Sequence, residues 1–379
     1  MKSIRSPRWI QAFVVVGCVM CGGVLHADET PAPGKQVGQQ FVSAALPSQK
    51  LGYLLFLPKD YGKDNRKWPV MMFLHGSGER GDDLNLVKVH GPPKLVEGRP
   101  DFPFIVVSPQ CPKDFSWSGE IQPLVLAELL DSVMTRFAAD PQRIVVTGLS
   151  MGGFGSWTLA ARFPGRFAAA VPICGGGDPD EASKMTSVPF WVFHGAKDSG
   201  VPLKLSEEMV AAVTKVGGSA KLTVYPEAGH DSWTETYKNE AVYDWLLAQR
   251  RAAPTPLPTV NPPVTFIRVG GIDLKLGKPE DNNSFSANVY LKTPATCSAA
   301  LQERLAPHRE QLTAAILAWV NSEPTEHLVG KAGRERTRAA AKGLCDRIVF
   351  RGSPDISFDI AFERFTVRYK APSKPDPKL

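Results

Sequence analysis

The stretch Ile144-Val145-Val146-Thr147-Gly148-Leu149-Ser150-Met151-Gly152-Gly153 decides how this chain reads. Its first four residues are all β-branched and mostly apolar, as in a strand covered on both faces, and helical spacing begins at Phe154. A serine placed in such a strand-turn-helix sits in a cramped backbone conformation that lifts its hydroxyl clear of the sheet. Only small flanking residues let strand and helix come so close. Gly148 and Gly152 supply that room, which makes Ser150 the candidate nucleophile. A bare Gly-x-Ser-x-Gly also occurs as a plain glycine-rich turn; the strand before it and the helix after it single out this one.

Working outward, β-type apolar runs alternate with helical stretches from about Gln39 to Gln249. Strands are expected at Tyr53 to Leu57, Val70 to Leu74, Ile105 to Val107, Ile144 to Thr147, Ala168 to Ile173, Phe190 to Phe193 and Leu222 to Tyr225. Helices are expected at Pro123 to Phe137, Phe154 to Phe163, Leu203 to Lys215 and Ala241 to Arg250. The pattern predicts an α/β fold: a doubly wound, mostly parallel sheet over residues 39–250. A proline-rich stretch, residues 251–263, then reads as an extended linker. Residues 264–370 are expected to form a smaller α+β domain, with strands at Val264 to Leu276, Ser284 to Leu291 and Ile356 to Tyr369, and helices at Cys297 to Val320 and His327 to Ile348. Phe358, Ile360 and Phe362 alternate, as do Phe365, Val367 and Tyr369, but with opposite parity, which predicts a bulge between the two sets. Residues 371–379 read as a disordered tail.

A serine hydroxyl is a weak nucleophile at neutral pH and needs a base, itself held in the right tautomer by an acid. In this strand-helix arrangement the chain order is nucleophile, acid, histidine. Asp198, just past the strand Phe190 to Phe193, and His230, past the strand Leu222 to Tyr225, fit that order. Asp178, Asp180 and Asp231 compete with Asp198, but the first two follow an earlier strand and the third adjoins the base. Among the histidines, His75 precedes the nucleophile, His90 sits in an early loop and His194 is expected to satisfy a local hydrogen bond. His26 lies in the leader, and His308 and His327 lie beyond the linker. Attack on a carbonyl creates an oxyanion, which needs preorganised N–H donors. The amide of Met151, next after the nucleophile, and that of Ser77, in the loop His75-Gly76-Ser77-Gly78, are the candidates. Gln110, Trp117 and Trp233 follow strand ends on the same sheet edge and are candidate pocket residues, although packing would serve each equally. Glu79 and Arg80 read as a loop-bracing ion pair, and Cys111 as structural.

Other chemistries find little support. The net charge of +6 over 379 residues is modest, and no basic aromatic-interleaved tract points to nucleic acid. Cys18 and Cys21 fall in the apolar run near the N-terminus; beyond them no Cys-x-x-Cys or histidine cluster proposes a metal site, so no metal or cofactor is expected. Lys2, Arg5 and Arg8, the apolar run Trp9 to Leu25 and the exit Leu25-His26-Ala27 read as a signal peptide over residues 1–27. A retained membrane anchor, or a lipid on Cys18, are the alternatives. Export would permit disulfides, with Cys297 and Cys345 able to pair. Arg334, Arg338 and Lys342 share a helix face, to be solvated or to meet an acidic partner.

The motifs LHGSGERGDD (Leu74 to Asp83), SPQCP (Ser108 to Pro112), GLSMGG (Gly148 to Gly153), HGAKD (His194 to Asp198) and GHDSW (Gly229 to Trp233) resemble the esterase and predicted-peptidase branch of the α/β-hydrolase superfamily, which includes feruloyl-esterase-like and phospholipase/carboxylesterase-like proteins. That resemblance implies a serine esterase that hydrolyses carboxylic esters without a cofactor; the leader makes it secreted or periplasmic, and the lack of a long lid-like insertion suits a small ester or an acylated polysaccharide as substrate. A peptidase, or a relic domain acting only in protein contacts, are the alternatives. Residues 264–370 resemble the periplasmic domain of the flagellar basal-body protein FliL. This match rests on Pro307-His308-Arg309, Leu312, Ile316, Leu328-Val329-Gly330, Gly333, Arg336 and IAFERFTVR (Ile360 to Arg368), and it implies an envelope protein partner.

Overall fold

The computed structural model describes residues 30–251, 264–276, 283–350 and 356–368. The expected leader with Cys18, the proline-rich stretch from Ala252 and the tail lie outside the described residues. From Pro31 onward the chain forms one compact unit.

Eight strands build the main sheet: β1 (Gln36–Val42), β2 (Lys50–Phe56), β3 (Trp68–Leu74), β4 (Ile105–Pro109), β5 (Ala139–Leu149), β6 (Ala169–Ile173), β7 (Phe190–Gly195) and β8 (Ala220–Tyr225). Their order is β1-β2-β4-β3-β5-β6-β7-β8. β1 and β2 run antiparallel, and β4 onward is parallel. Helices α1 (Gly91–Leu95), α2 (Gln122–Arg136), α3 (Met151–Arg162), α4 (Lys204–Lys215), α5 (Trp233–Lys238) and α6 (Glu240–Ala248) connect them. α2, α3 and α4 cover one face, and α1, α5 and α6 the other. Successive strand side chains point to opposite faces. Val70, Met72 and Leu74 therefore enter the first core, and Met71 and Phe73 the second. This is the α/β-hydrolase fold, and every expected strand and helix of residues 39–250 is present. β1 carries no strand signal in the sequence, because Gln36, Gln39 and Gln40 interrupt any apolar run. It is an edge strand, mostly open to solvent, and needs none.

The C-terminal sheet is antiparallel, in order β11-β10-β9, from β9 (Val264–Leu276), β10 (Asn283–Pro294) and β11 (Asp359–Arg368). Helices α7 (Ser298–Leu305), α8 (Arg309–Ser322), α9 (Thr325–Leu328) and α10 (Gly330–Ile348) complete it. The helix expected from Cys297 to Val320 is broken by a 3-10 turn at Ala306–His308, because Pro307 has no N–H to continue the ladder. A second break separates α9 from α10 at Gly330, whose φ of 72° is left-handed. The parity change in β11 is a bulge: Glu363 pairs with Asn288 and Thr366 with Ser286, with Arg364 at φ 52° between them. All four described cysteines are free thiols, so Cys297 and Cys345 do not pair.

The small sheet also packs on the large one. Alternation sends Ile267, Val289, Leu291, Ile360 and Phe362 to the C-terminal core, and Phe266, Tyr290 and Ala361 to the hydrolase core. The backbone joins too, Phe266 N–H donating to the Ala45 carbonyl at 2.8 Å. Intramolecular contacts occupy the basic face of α10. Arg338 bonds Glu120 at 2.7 Å, Lys342 Nζ donates to the Phe358 carbonyl at 2.9 Å, and Arg334 lies over the Phe365 ring. The face is thus neither simply solvated nor open to an acidic partner.

Glu363 is sealed in this junction, 0% exposed. One carboxylate oxygen accepts the Ile121 N–H at 2.6 Å, and the other is buried without a partner. Burial pushes the carboxyl up from 4.5 to about 8, against the partial relief of that hydrogen bond. Between those values the folded chain holds a proton that the unfolded chain has released, so stability falls as pH rises through the window. The full loss is roughly 5 kcal/mol. Glu363→Gln keeps the acceptor and has no charge to desolvate. Urea unfolding of the two proteins should agree near pH 4.5 and separate progressively up to pH 8, the variant being the more stable. A constant offset across that range would contradict this account.

Candidate active site

β5 ends at Leu149 and α3 begins at Met151, so Ser150 alone makes the turn, with φ 52° and ψ −115°. A non-glycine residue there is strained by about 1–3 kcal/mol and is held only by its surroundings. The glycines permit the crowding. A methyl group on Gly152 would run into the Leu74 carbonyl, and one on Gly148 would meet the Gly152 carbonyl.

β7 and β8 deliver the other two groups to the same edge. His230 Nε2 lies 2.9 Å from Ser150 Oγ, and His230 Nδ1 lies 2.7 Å from Asp198 Oδ2. The remaining Asp198 oxygen accepts the N–H groups of Gly200 and Val201, both at 2.8 Å. Burial works against this carboxylate's charge, but the hydrogen bonds from His230, Val201 and Gly200 outweigh it and hold the carboxyl below its usual range. An ionised acceptor on one side fixes the proton on Nδ1 and leaves Nε2 free to take the serine proton. The structure therefore brings together the three residues that chain order selected. Asp178, Asp180 and Asp231 bond elsewhere: the first two flank Lys331, and Asp231 caps Thr234.

The Met151 amide is the first of α3 and so has no acceptor within the helix. It stands directly beside Ser150 at the positive end of the helix dipole. The Gly76–Ser77 loop faces it: a Cβ on Gly76 would lie 3.8 Å from that of Ser150. Both candidate oxyanion donors thus belong to backbone next to Ser150. The loop is firmly tied. His75, 1% exposed, is held neutral because burial drives its pKa down to about 4. It donates from Nδ1 to the Gly76 carbonyl at 2.6 Å and accepts the Cys111 N–H on Nε2 at 2.9 Å.

Three sequence readings change here. Glu79 and Arg80 do not pair. Arg80 donates to the carbonyls of Ser77, Lys113 and Phe115, while one Glu79 oxygen is buried without a partner. Gln110, 2% exposed, spends its amide hydrogens on the carbonyls of Glu79 and Asp83, so it braces the loop. Trp117, 0% exposed, donates to the His75 carbonyl and packs edge-on against that ring. Both were legible as residues near a sheet edge, but packing turned them inward. Trp233 does reach the site, its ring perpendicular to His230 at 5.3 Å, with His90 on its other side. His194 bonds Ser206 Oγ and the Val201 carbonyl, steadying the acid loop.

Cys174, which no motif marked, lies close to Asp198 and His230, with φ 39°. Its sulfur and the ligand atoms of Asp198 and His230 lie within 4.8 Å of one another. These three suit a metal poorly: burial pushes the thiol up to about 12, and both His230 nitrogens are already engaged.

A family model described as Esterase matches residues 43–254, more than half of the chain. The chain belongs to the Esterase family. Among curated relatives, poly(3-hydroxyalkanoate) depolymerase C of Paucimonas lemoignei is 36% identical over 86 residues, covering 19% of this chain and 21% of that protein. Esterase Rv1288 of Mycobacterium tuberculosis is 31% identical over 130 residues, covering 31% of this chain and 28% of that protein. This chain thus spans less than a third of the length of either relative. Among solved structures, a thermostable esterase is 34% identical with a TM-score of 0.49, covering 57% of this chain and 63% of that one.

Proposed function

We propose that the chain is a serine carboxylesterase. His230 takes the Ser150 proton as the hydroxyl attacks an ester carbonyl, and the oxyanion rests on the Met151 and Ser77 amides. His230 then protonates the departing alcohol, and water repeats the cycle on the acyl-enzyme. The observation that carries this reading is the unbroken hydrogen-bond chain from Ser150 Oγ through His230 to Asp198 Oδ2. A decayed domain would be under no pressure to keep that chain, which disfavours the purely interacting alternative.

Rapid mixing with p-nitrophenyl butyrate tests it. A burst of nitrophenolate stoichiometric with protein is expected, together with labelling of Ser150 by a fluorophosphonate. Absence of both would return the domain to the relic reading. An ester and its amide analogue with the same acyl group would separate esterase from peptidase, the ester being turned over far faster.

The proposed substrate is an acyl group on a bulky carrier such as a polysaccharide. The His230 side chain is 35% exposed, which favours access by a group that cannot enter a closed tunnel. The depolymerase among the relatives is named for a polymer. The basic start and apolar run of residues 1–27 support export, and residues 264–370 would then be a FliL-like module able to meet an envelope protein. Fractionation of cells, followed by sequencing of the mature N-terminus, tests export and distinguishes cleavage after Ala27 from lipidation at Cys18.

A further inference from the structure

At the end of α3 remote from Ser150, a cavity of about 280 Å³ opens where β9 and β10 meet the hydrolase domain. Trp157, Met185, Met209 and Phe266 give it an apolar lining, and Arg162 and Lys292 stand in its wall. Trp157 and Arg162 lie seven and twelve residues along from Ser150, about 10–18 Å at the helical rise. None of the triad residues lines it.

Two observations mark it as a built site. Trp157 stacks on Phe190 at 4.3 Å, yet its indole N–H is buried with no acceptor. A buried donor in that state is costly unless something supplies the acceptor. The charges are also uneven. Three carboxylates border the cavity, and each has a cation nearby: Glu120 has Arg338 at 2.7 Å, Asp178 has Lys331 at 3.6 Å, shared with Asp180 at 3.5 Å, and Glu181 has Lys184 at 2.6 Å. Among the described residues, Arg162 and Lys292 have no carboxylate within ion-pair distance. Arg162 donates one N–H to the Glu120 carbonyl and feels the carboxylates of Glu120, Glu363 and Glu181 only from beyond ion-pair distance. Lys292 sits directly opposite Phe266 on the neighbouring strand, so cation and ring present to the same wall.

We propose that this cavity binds a small hydroxyaryl carboxylate at a site separate from the triad. The ring lies against Trp157, the two methionine thioethers and Phe266, contacts that sulfur and indole favour. The ring hydroxyl oxygen accepts the Trp157 N–H, and the carboxylate lies between Arg162 and Lys292. The site exists only because the C-terminal sheet supplies Phe266 and Lys292, so ligand binding would couple the two domains.

Calorimetric titration of the full chain carrying Ser150→Ala with 3-(4-hydroxyphenyl)propanoate tests the proposal. Saturable binding is expected, and about tenfold weaker binding for the corresponding neutral amide, equal to about 1.4 kcal/mol. Lys292→Met, a change at an exposed side chain, should weaken the carboxylate about tenfold as well. Trp157→Phe keeps a ring to stack on Phe190. It should weaken the hydroxyaryl ligand severalfold while leaving 3-phenylpropanoate unchanged, a difference that a mere packing defect would not produce. Binding to the otherwise native chain should survive fluorophosphonate blockage of Ser150. Equal affinity for acid and amide, undiminished binding in Lys292→Met, loss of binding on blocking Ser150, or no saturable heat up to the solubility limit would each overturn it.

Discussion

Ser150→Ala is expected to cut kcat for p-nitrophenyl butyrate by about a millionfold, the scale on which a serine nucleophile acting with its histidine is lost. The alanine methyl fits where the serine Cβ already sits, so the fold should be untouched. His230 Nε2 then faces no acceptor or donor, and only the amides of Met151 and Ser77 remain to polarise the carbonyl, which leaves a small residual rate. Steady-state kinetics on protein free of wild-type contamination is the measurement. A loss of tenfold or less, as an order of magnitude, would mean that another group attacks. Ser150→Gly should lose activity equally while gaining about 1 kcal/mol of stability, because glycine accepts φ 52° without strain. The pair of variants therefore separates chemistry from the backbone distortion that serves it.

Asp198→Asn is expected to lower kcat by about ten thousandfold. The asparagine carbonyl oxygen can still accept the Gly200 and Val201 amides, so the loop keeps its shape. What changes is the atom that faces His230. An amide nitrogen in place of Oδ2 donates where the carboxylate accepted, and the imidazole must answer with a bare Nδ1 and a proton on Nε2. That tautomer cannot receive the Ser150 proton. A crystal structure of the variant should show the triad distances almost unchanged while activity is lost. Retention of more than about a tenth of wild-type kcat would place the orienting acid elsewhere.

Much of the hydrolase domain was legible because the signals are local. Ile144 to Thr147 is β-branched since both faces of β5 are covered, and Gly148 and Gly152 are glycine since strand and helix touch there. Chain order then carried Asp198 and His230, because in a parallel sheet every strand delivers its C-terminal loop to one edge. The misreadings share one cause. Gln110 and Trp117 do leave strand β4 at that edge, but whether a side chain turns to solvent or inward is settled by partners far away in sequence. Here the partners were the carbonyls of Glu79, Asp83 and His75. Adjacent opposite charges suggested that Glu79 and Arg80 would pair, yet three backbone carbonyls hold the guanidinium more firmly. Cys174 carried no local signal at all, since its place close to Asp198 and His230 depends on how β6 lies between β5 and β7.

The amino-acid order by itself determined the alternation of strands and helices, the cramped turn at Ser150 and the succession of serine, aspartate and histidine. Each follows from steric or periodic constraints acting over a few residues, or from the direction of the chain in a parallel sheet. Tertiary structure alone decided that the C-terminal sheet closes over the hydrolase core, that Glu363 is buried beneath it and that Arg338 meets Glu120. Those contacts join residues more than two hundred positions apart. Their energy comes from surface removed from water between two separately patterned units, and no local pattern encodes which apolar face will find which partner.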